Sequence, residues 1–433
     1  MKTYLFPSKK DWKLLLQRPI FDTVSLHEKV STVLNDVKQN GDAAIKKYTA
    51  QFDVVELDDF VVSQDEIEEA VASLPNELKQ AIQIAANNIH LFHQNQVVEI
   101  DAVETMPGVK CWRKSVGIEK VGLYIPGGTA PLFSTILMLG IPAKIAGCKE
   151  VILCSPPSPL TSRKGGVGAQ LHPAILYAAN LVGITKIYKI GGVQAIAAMA
   201  YGTETINQCY KIFGPGNQYV TCAKQLVQQE GIAIDMPAGP SEVCVLADET
   251  ANASFVAADL LSQAEHGVDS QVLLVTTSED LVIRVNVELG KQVENLSRKE
   301  IVLQALQNSK AIVVNTIDEA IDLVNEYAAE HLIISCENDE NIAEKIINAG
   351  SIFLGNYSPE SVGDYASGTN HTLPTNGFAK AYSGVSVDSF VKKITYQKLS
   401  KEGLNAIGKT VERMAEAEGL DAHKNAVSIR LVG

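Results

Sequence analysis

The chain has 433 residues, of which 46% are hydrophobic and 20% are charged, and its formal net charge is −13 at pH 7. This length predicts two or more domains, and the composition is typical of a soluble globular protein with a large interior. The acidic balance argues against nucleic acid and anionic membranes as partners, because no basic run or basic–aromatic interleaving accompanies it.

The N-terminal stretch MKTYLFPSKKDWKLLLQRP has only a short apolar patch and no small-residue cleavage site. It is not typical of a signal peptide, and no run in the chain approaches the length of a membrane span. Seven cysteines are scattered without a Cys-x-x-Cys pair, which favours neither a disulfide framework nor a cysteine zinc site. We therefore expect a cytoplasmic protein.

Residues 23–95 are predicted to be mainly helical. SLHEKVSTVLNDVKQNGDAAIKKYTAQF and SQDEIEEAVASLPNELKQAIQIAANNIHLFHQ both repeat apolar residues three or four positions apart, which is the period of an amphipathic helix. In the first of these stretches, Gly41 followed by Asp42 predicts that one helix stops and another starts.

From Val116 onward, short strands and helices alternate. GIEKVGLYIPGG predicts a strand that ends in a Pro-Gly-Gly turn. Further strands are predicted at EVILCS, KIYKIGG, YKIFGPG and IAIDMP, and helices at PAILYAANLVG, VQAIAAMAYG and QYVTCAKQLVQ. Such alternation indicates right-handed βαβ crossovers and a parallel sheet.

A second alternating set runs through SEVCVLAD, NASFVAADLLSQAEHG, SQVLLVTTS, AIVVN, HLIIS and SIFLG. The fold class is therefore expected to be α/β, with two Rossmann-like units, each with its own parallel sheet. After about Ser386 the pattern returns to helix, as a tail of a kind that often exchanges between subunits. The expected divisions are an N-terminal arm (1–22), a discontinuous α/β domain (23–123 and 240–385), an inserted α/β domain (124–239) and a C-terminal tail (386–433).

Ligands of open α/β sheets bind beyond the carboxyl ends of the strands, so functional residues are expected to follow strands. No G-x-G-x-x-G follows any predicted strand, but three glycine-containing turns do: Ile125-Pro126-Gly127-Gly128, Gly191-Gly192-Val193-Gln194 and Phe213-Gly214-Pro215-Gly216-Asn217. Glycine lets the backbone approach a phosphate. Each turn alone is more often a plain tight turn, but three in one unit suggest a nucleotide or phosphate cleft.

Two pairs of side chains lie near predicted helix ends. Gln263 and His266 are three residues apart and would share a helix face before a stop at Gly267, as one corner of a metal site or as an ordinary polar face. Glu330 and His331 form a carboxylate–imidazole pair suited to acid–base chemistry, provided that they lie at a turn. Otherwise they are a surface glutamate and a strand-edge histidine.

Two further pairs lie near the C-terminus. Asp364 and His371 are expected in a loop, where they form part of a site or an ordinary turn. Glu418 and His423 flank a glycine-containing turn in what is locally a solvated tail. Half of the eight histidines thus have an acidic or amide neighbour, and two histidines, one aspartate and one glutamine would make a plausible zinc set.

Eight segments together resemble the histidinol dehydrogenase family, in the family's order and from about residue 20 to the end. They are VGLYIPGGTAPLFST, KIGGVQAIAAMAYGTE, KIFGPGNQYVT, IDMPAGPSEV, DLLSQAEHG, AAEHL, GDYASGTNHTLPT and AHKNAVSIRL. The resemblance implies NAD-linked oxidation of L-histidinol to L-histidine, the end of histidine biosynthesis. It also implies a domain-swapped homodimer with one zinc ion per subunit.

The resemblance further implies roles for individual residues. Glu330 would activate water and His331 would be the acid–base group. The implied zinc ligands are Gln263, His266, Asp364 and His423. The same four residues would contact substrate, together with Ser241, Glu330, His371 and Glu418. NAD would be bound by Tyr124, Gln194 and Asn217. Glu418 and His423 would reach the partner's site. One departure is that the glycine-rich loop 158–170 looks longer than the family usually carries.

Other functions remain open from the sequence. A zinc hydrolase, a dehydrogenase for another amino alcohol and a non-catalytic binding protein would all use the same scaffold. A thiol route for the second oxidation would need an activated cysteine, with Cys111 and Cys148 as candidates. Neither has a histidine nearby in sequence, and buried cysteines usually only fill space.

Overall fold

The computed structural model describes residues 1–18, 23–127, 131–161, 167–237 and 239–432. Its strands are β1 (Lys2–Leu5), β2 (Val103–Met106), β3 (Val109–Gly117), β4 (Lys120–Tyr124), β5 (Glu150–Ser155), β6 (Ser158–Thr161), β7 (Val167–Gln170), β8 (Lys186–Lys189), β9 (Lys211–Phe213), β10 (Ala233–Ile234), β11 (Glu242–Ala247), β12 (Gln271–Thr276), β13 (Lys310–Val313), β14 (His331–Ser335), β15 (Ser351–Leu354) and β16 (Val391–Leu399). Its helices are α1 (Trp12–Leu15), α2 (Thr23–Tyr48), α3 (Gln64–Ser73), α4 (Asn76–Gln94), α5 (Phe133–Ile145), α6 (Pro173–Val182), α7 (Gly192–Tyr201), α8 (Gln218–Gln229), α9 (Ala253–Ala264), α10 (Glu279–Gln292), α11 (Lys299–Gln307), α12 (Ile317–Tyr327), α13 (Asp339–Ala343), α14 (Glu360–Tyr365), α15 (Lys401–Ala417) and α16 (Asp421–Val432).

Six parallel strands form the larger sheet, in the order β1-β13-β12-β11-β14-β15. Every residue of β11 and β12 is buried, because helices cover both faces of the sheet, and this explains why both strands are nearly continuous apolar runs. β1 is an edge strand of this sheet, with Lys2 opposite Lys310. The predicted N-terminal arm therefore contributes a strand that the sequence pattern did not reveal.

Five parallel strands form the second sheet, in the order β10-β9-β4-β5-β8. The expectation of two parallel sheets is thus confirmed, and the helices predicted between these strands are present as α6, α7 and α8. The sequence reasoning missed α5, which is apolar on nearly all sides and buried from Ser134 to Ala143. A helix buried all round has no polar stripe, so its sequence shows no helical period.

The predicted interruption in the N-terminal helical region is also present. Gly41 has a φ of 48° and a ψ of −128° inside α2, so the helix is kinked there. The second predicted helical stretch divides into α3 and α4 around Pro75. Within the described residues, no helix is both long and apolar enough to cross a membrane.

The beginning of the C-terminal tail differs from the prediction of helix after Ser386. β16 pairs antiparallel with β3 over nine residues, from Val391 opposite Gly117 to Leu399 opposite Val109. Most of β16 is exposed and its sequence, VKKITYQKL, is rich in polar residues, so it lacks the apolar alternation that marks a half-buried strand. The helical prediction is correct only from Lys401 onward.

The prediction of a glycine-rich loop over 158–170 is wrong at both ends of that segment, because each end is a strand. β6 and β7 pair antiparallel there, with Ser158 opposite Gln170 and Thr161 opposite Val167. Residues 162–166 lie outside the described residues. The described parts of this region therefore form a separate two-stranded antiparallel sheet.

A tight contact joins two neighbouring strands of the second sheet at their carboxyl ends. Gly214 follows β9 with a φ of +127°, and a Cβ on it would lie 2.0 Å from the carbonyl oxygen of Tyr124, at the end of β4. Only glycine fits without displacing the neighbouring backbone.

We expect Gly214→Ala to destabilise the protein more than Gly231→Ala does. Gly231 also has a positive φ, +99°, but nothing lies within 4 Å of its would-be Cβ. The backbone penalty alone is about 1 to 2 kcal/mol, and the clash at Gly214 should add about 1 to 3 kcal/mol. Urea unfolding of both variants measures the difference, and equal losses would show that the Tyr124 carbonyl moves aside freely.

Candidate active site

The acid–base candidates lie at the amino edge of the larger sheet. His331 is the first residue of β14, and Glu330 precedes it. Glu242 is the first residue of β11, the strand beside β14, and Ser241 precedes it. The expectation that functional residues follow strands is therefore wrong for this sheet. It holds for the second sheet, where Tyr124 ends β4.

His331 is buried and is held on both ring nitrogens. Its Nδ1 lies 3.3 Å from the carbonyl oxygen of Glu242, and its Nε2 lies 3.2 Å from Asp364 Oδ1. A carbonyl oxygen can only accept, so Nδ1 carries the proton in the first contact. Nε2 is then the ring atom at which a proton can be gained or lost.

Glu330 is buried beside His331 but lines the cleft. Its Oε2 accepts from the backbone N–H of Glu242 at 2.9 Å and lies 3.7 Å from His331 Nδ1. Burial raises the pKa of Glu330 to about 7. Burial alone would lower the pKa of His331, but the carboxylates of Glu330 and Asp364 outweigh it and raise that pKa. Glu330 can therefore hold or release a proton near neutral pH, whereas His331, with a pKa of about 10, holds its proton more tightly.

Three candidate ligands lie beside this pair, and their local structure differs from the prediction. They are Gln263 in α9, His266 just beyond that helix and Asp364 in α14. α9 ends at Ala264, so His266 lies beyond the helix and does not share a helical face with Gln263. Asp364 lies within α14, not in a loop. The charge of Asp364 acts on both His266 and His331, so these side chains are close together.

The Gln263 amide has two possible orientations. In one, its nitrogen donates to Glu330 Oε2 at 3.3 Å. In the other, the nitrogen donates to Glu360 Oε1 at 3.2 Å and the oxygen accepts from the Glu242 N–H at 2.9 Å. We favour the second, because it pairs both amide atoms whereas the first leaves the oxygen against an acceptor.

His371 lies between the two sheets, in the loop where it was predicted. Its Nδ1 donates to the Asp364 carbonyl oxygen at 2.7 Å, and its Nε2 lies 3.0 Å from Thr135 Oγ1, on α5. Burial lowers the pKa of His371, so the neutral ring accepts from the threonine hydroxyl. Ser241, His266 and His371 all line the same cleft.

Glu418 and His423 are exposed on the C-terminal tail, Glu418 at the end of α15 and His423 in α16. In the described part of this one chain, neither lies among the residues that line the cleft. The described residues also contain no group of three or more His, Cys, Asp or Glu side chains placed to hold a metal ion. A site that takes one histidine and one aspartate from one chain, and its second histidine from another chain, would not form such a group.

The cleft has a volume of about 770 Å³ and is lined from both α/β units, by Glu330 and His266 on one side and by Pro126 and Asn217 on the other. A second cavity, of about 1070 Å³, also touches Pro126 and Asn217 and extends past Tyr124. The two cavities thus meet where the carboxyl edge of the second sheet faces the amino edge of the larger one.

The three candidate cofactor residues lie at this carboxyl edge. The hydroxyl oxygen of Tyr124 accepts from the Gly192 N–H at 3.1 Å. Asn217 caps α8, since its side-chain oxygen accepts from the N–H groups of Tyr219 and Val220. Gln194 is fully buried, and its Oε1 has no partner within the described chain. Of the predicted turn at 125–128, position 128 lies outside the described residues.

Sequence reasoning missed three residues at these cavities. Arg18 and Glu242 form a buried ion pair behind Glu330, and Asp53 lines the second cavity, 3.4 Å from Gln194 Nε2. For Glu242 there was a signal, since an acidic residue opens the otherwise apolar strand EVCVLA. The sequence contained no such signal for Asp53, because an acidic residue after an amphipathic helix is usually an ordinary surface residue.

The cysteine candidates do not resemble activated thiols. Burial raises the pKa of Cys148 to about 11, and its sulfur points to the carbonyl oxygen of Phe390 at 3.7 Å. Cys111 lies on β3, paired with the tail strand β16. Neither lines the cleft as far as the structure describes it, so the thiol route has no geometric support.

A buried carboxylate–imidazole pair whose carboxylate lines a cleft between two α/β units, beside a second cavity with glycine turns, defines the class of protein. The class is that of enzymes that transfer protons to or from a small substrate bound beside a nucleotide-sized site.

Comparison with known proteins identifies the family. The sequence profile of histidinol dehydrogenase matches residues 16–431. Histidinol dehydrogenases of Bacteroides thetaiotaomicron and Bacteroides fragilis (strain YCH46) are each 59% identical to the chain, over 100% of it and 99% of the relative. The crystal structure of histidinol dehydrogenase from Elizabethkingia anophelis superposes with a TM-score of 0.96 at 57% identity, covering 100% of this chain and 98% of that one. The chain belongs to the histidinol dehydrogenase family.

Asp53 gives a pH-dependent stability prediction. Burial raises its pKa from 3.8 to about 6, so the folded protein holds this proton more tightly than the unfolded chain does. Stability is therefore lost as pH rises from about 4 to about 6, and Asp53→Asn removes this loss. At pH 8, compared with pH 4, we expect the variant to gain up to about 3 kcal/mol relative to wild type.

Thermal or urea unfolding at the two pH values measures this gain. Asp58→Asn, which removes an exposed carboxylate from the same segment, is the matched control and should show no pH-dependent gain. A gain of the same size in both variants would mean that net charge, not burial of Asp53, is responsible.

Proposed function

We propose that this chain oxidises L-histidinol through L-histidinaldehyde to L-histidine, with NAD as hydride acceptor and a zinc ion at the substrate site. The observation that carries the proposal is the buried pair Glu330 and His331, of which Glu330 lines the cleft, in a chain from this family. An alcohol becomes an acid by two hydride losses with water added between them. Glu330, with a pKa of about 7, and the imidazole of His331 supply two proton-transfer groups for that sequence.

The donor set around the cleft fits a zinc ion. The His266 ring faces the cleft, and the protein around it removes part of its hydration, which lowers its pKa. Its imidazole is therefore neutral and available as a ligand. Burial opposes ionisation of Asp364, but its contact with His331 outweighs this and lowers the pKa of Asp364, so the carboxylate is charged. With the Gln263 oxygen and His423 of a second copy, four nitrogen and oxygen donors would complete the usual coordination of zinc.

A homodimer follows from the same proposal. In one chain Glu418 and His423 are exposed on the tail helices, and the tail is tied to its own chain through β16. We propose that the tail (386–433) forms a unit separate from the N-terminal arm (1–22), the discontinuous domain (23–123 and 240–385) and the inserted domain (124–239). In this proposal the tail completes the partner's site, and the enzyme works in the cytoplasm.

Substrate binding would use groups that already surround the cleft. Ser241, His371 and the partner's Glu418 would contact the polar end of the amino alcohol. When bound, zinc would supply a positive charge that orients the substrate's nitrogens and weakens the hold of Asp364 on the His331 proton. Tyr124, Gln194 and Asn217 would position NAD, which accepts the hydrides.

In the first oxidation, His331 Nε2 would remove the hydroxyl proton of histidinol as the hydride leaves carbon. Glu330 would then take a proton from a water molecule as its oxygen adds to the aldehyde carbon, giving the hydrate. His331 would pass its proton to solvent before the second oxidation, in which it would remove a hydroxyl proton of the hydrate as the second hydride leaves to a second NAD. The Nδ1 contact with the Glu242 carbonyl oxygen keeps Nε2 as the reacting atom in both steps.

The expected yield is two NADH for each histidinol consumed, with histidine as the product. Absorbance at the NADH band together with chromatography of histidine measures both. A zinc hydrolase or a binding protein would give no NADH, and a dehydrogenase for another amino alcohol would reject histidinol.

Glu330→Gln should slow the second oxidation more than the first, because only the second needs activated water. We expect a loss of about 10²-fold or more in histidine formation, with histidinaldehyde accumulating. Gln263→Glu or Ser241→Ala, which alter binding instead, serve as comparison variants. Equal losses in both oxidations of Glu330→Gln would contradict the separate roles of Glu330 and His331.

A mixed dimer tests whether the site is shared. Asp364→Asn and His423→Asn should each be inactive alone, because each removes a ligand from both sites. Co-expressed, they should recover about one quarter of wild-type activity, since half of the dimers are mixed and each of these has one intact site. No recovery in purified mixed dimers would show that both residues act within one chain.

A further inference from the structure

One residue, Glu242, contacts both members of the acid–base pair through its backbone. Its N–H donates to Glu330 Oε2 at 2.9 Å, and its carbonyl oxygen accepts from His331 Nδ1 at 3.3 Å. In the favoured amide orientation, the same N–H also faces the Gln263 oxygen at 2.9 Å. The orientation of one residue at the start of β11 therefore sets the orientation of three side chains at the site.

The side chain of Glu242 is in turn fixed by Arg18. The guanidinium meets the carboxylate with two nitrogens: Nε contacts Oε1, and Nη2 donates to Oε2 at 2.9 Å. Nη2 also donates to the carbonyl oxygen of Tyr327 at 2.8 Å, and the guanidinium lies 4.2 Å from the centre of the Tyr327 ring. The backbone N–H of Asn376 donates to Oε1 at 3.0 Å. Three donors thus hold the carboxylate, two from Arg18 and one from Asn376, while Tyr327 holds the guanidinium.

We infer that the ion pair of Arg18 and Glu242 is a positioning clamp for the acid–base pair Glu330 and His331, which rests on the function proposed above. Neither residue needs to touch substrate. The clamp acts by preventing rotation of the Glu242 peptide groups, and these groups set the orientation of the Glu330 carboxylate and the protonated nitrogen of His331.

The environment of the pair argues that its role is more than added stability. The side chains of Arg18 and Glu242 are 15% and 2% exposed, and a buried ion pair contributes little net stability because both charges lose their hydration. Burial first, and also the charge of Glu242, raise the pKa of nearby Glu330, and the guanidinium lies against that charge. Its planar fork matches a carboxylate in a way that a lysine ammonium does not.

The N-terminal segment carries the cation to this position. β1 joins the edge of the larger sheet, α1 follows, and Lys310 Nζ contacts the carbonyl oxygen of Leu15. Gln271 Nε2 donates to the carbonyl oxygen of Gln17 at 3.3 Å, and Gln271 Oε1 accepts from the Tyr327 hydroxyl at 2.9 Å. Residues at the amino edge of the sheet thus hold the backbone that presents Arg18.

The test uses Arg18→Lys, which keeps the charge but loses the fork, Glu242→Gln, which keeps the shape but loses the charge, and the double variant. Arg284→Lys, in an exposed ion pair with Asp280, is the matched control. With histidinol and NAD, each single variant should lower kcat by about 10- to 100-fold, while both KM values change by less than about threefold. The double variant should be no slower than the slower single variant, because both changes break the same clamp.

A second measurement does not need turnover. Nitrogen NMR of ¹⁵N-histidine-labelled protein, with the His331 signal assigned through His331→Gln, should show a proton fixed on Nδ1 in wild type. In Arg18→Lys this signal should broaden or move towards a mixture of tautomers, while the control variant matches wild type. This readout also serves if Glu242→Gln fails to fold.

The outcomes separate the clamp from the proposed function. A wild type that forms no NADH from histidinol rejects the proposed function, and the NMR signal of His331 then still decides the clamp. Folded Arg18→Lys with unchanged kcat and an unchanged His331 signal would overturn the clamp. So would single-variant losses in kcat that multiply in the double variant, or a loss of thermal stability alone.

Discussion

The arrangement of the site depends on the amino end of β11, where Glu242 is buried against Arg18. A carboxylate in this position is costly unless it is paired and hydrogen-bonded. Arg18 and the N–H of Asn376 meet that requirement, and Tyr327 packs against the Arg18 guanidinium. Because the side chain cannot turn, the peptide groups of Glu242 present a fixed donor to Glu330 and a fixed acceptor to His331.

The second constraint is the opposed placement of the two sheets. The larger sheet presents the amino ends of β11 and β14 to the cleft, whereas the second sheet presents the carboxyl ends of β4 and β9. Glycine turns at carboxyl ends let a ligand approach the backbone closely, and the N–H groups of Gly192 and Gly214 are themselves bonded to Tyr124 and Asp235. The amino ends instead bring buried acids and imidazoles together beside the cleft. One cleft can therefore serve a nucleotide from one side and a polar substrate from the other.

Several elements show where sequence patterns were sufficient. β11 and β12 are continuous apolar runs because both faces are covered, and a run of that kind predicts a strand of a parallel sheet. The sequence pattern missed α5 for a related reason, since a helix buried on all sides has no polar stripe. It missed β16 for the opposite reason, because an exposed strand needs no apolar face. It is recognisable only through its partner β3, which is far away in sequence.

The residues of the candidate site likewise divide into those that sequence patterns could identify and those that they could not. Pairs such as Glu330 and His331 could be found because they are adjacent, and the family blocks named the more distant residues. Arg18 and Asp53 could not be found in this way. Burial raises the pKa of Asp53 to about 6, and burial is a property of neighbours, not of the residue.

The sequence by itself determined the alternation of strands and helices, the two parallel sheets and the family, and it singled out Glu330 and His331 as the candidate acid–base pair. These depend on local apolar periodicity and on ordered motifs, which are written along the chain. Only the tertiary structure decided that the pair lies at the amino edge of its sheet, that Arg18 is paired with Glu242, and which ring nitrogen of His331 holds its proton. Those features arise from contacts between residues up to 309 positions apart, and no local pattern encodes which distant groups share a buried, weakly screened environment.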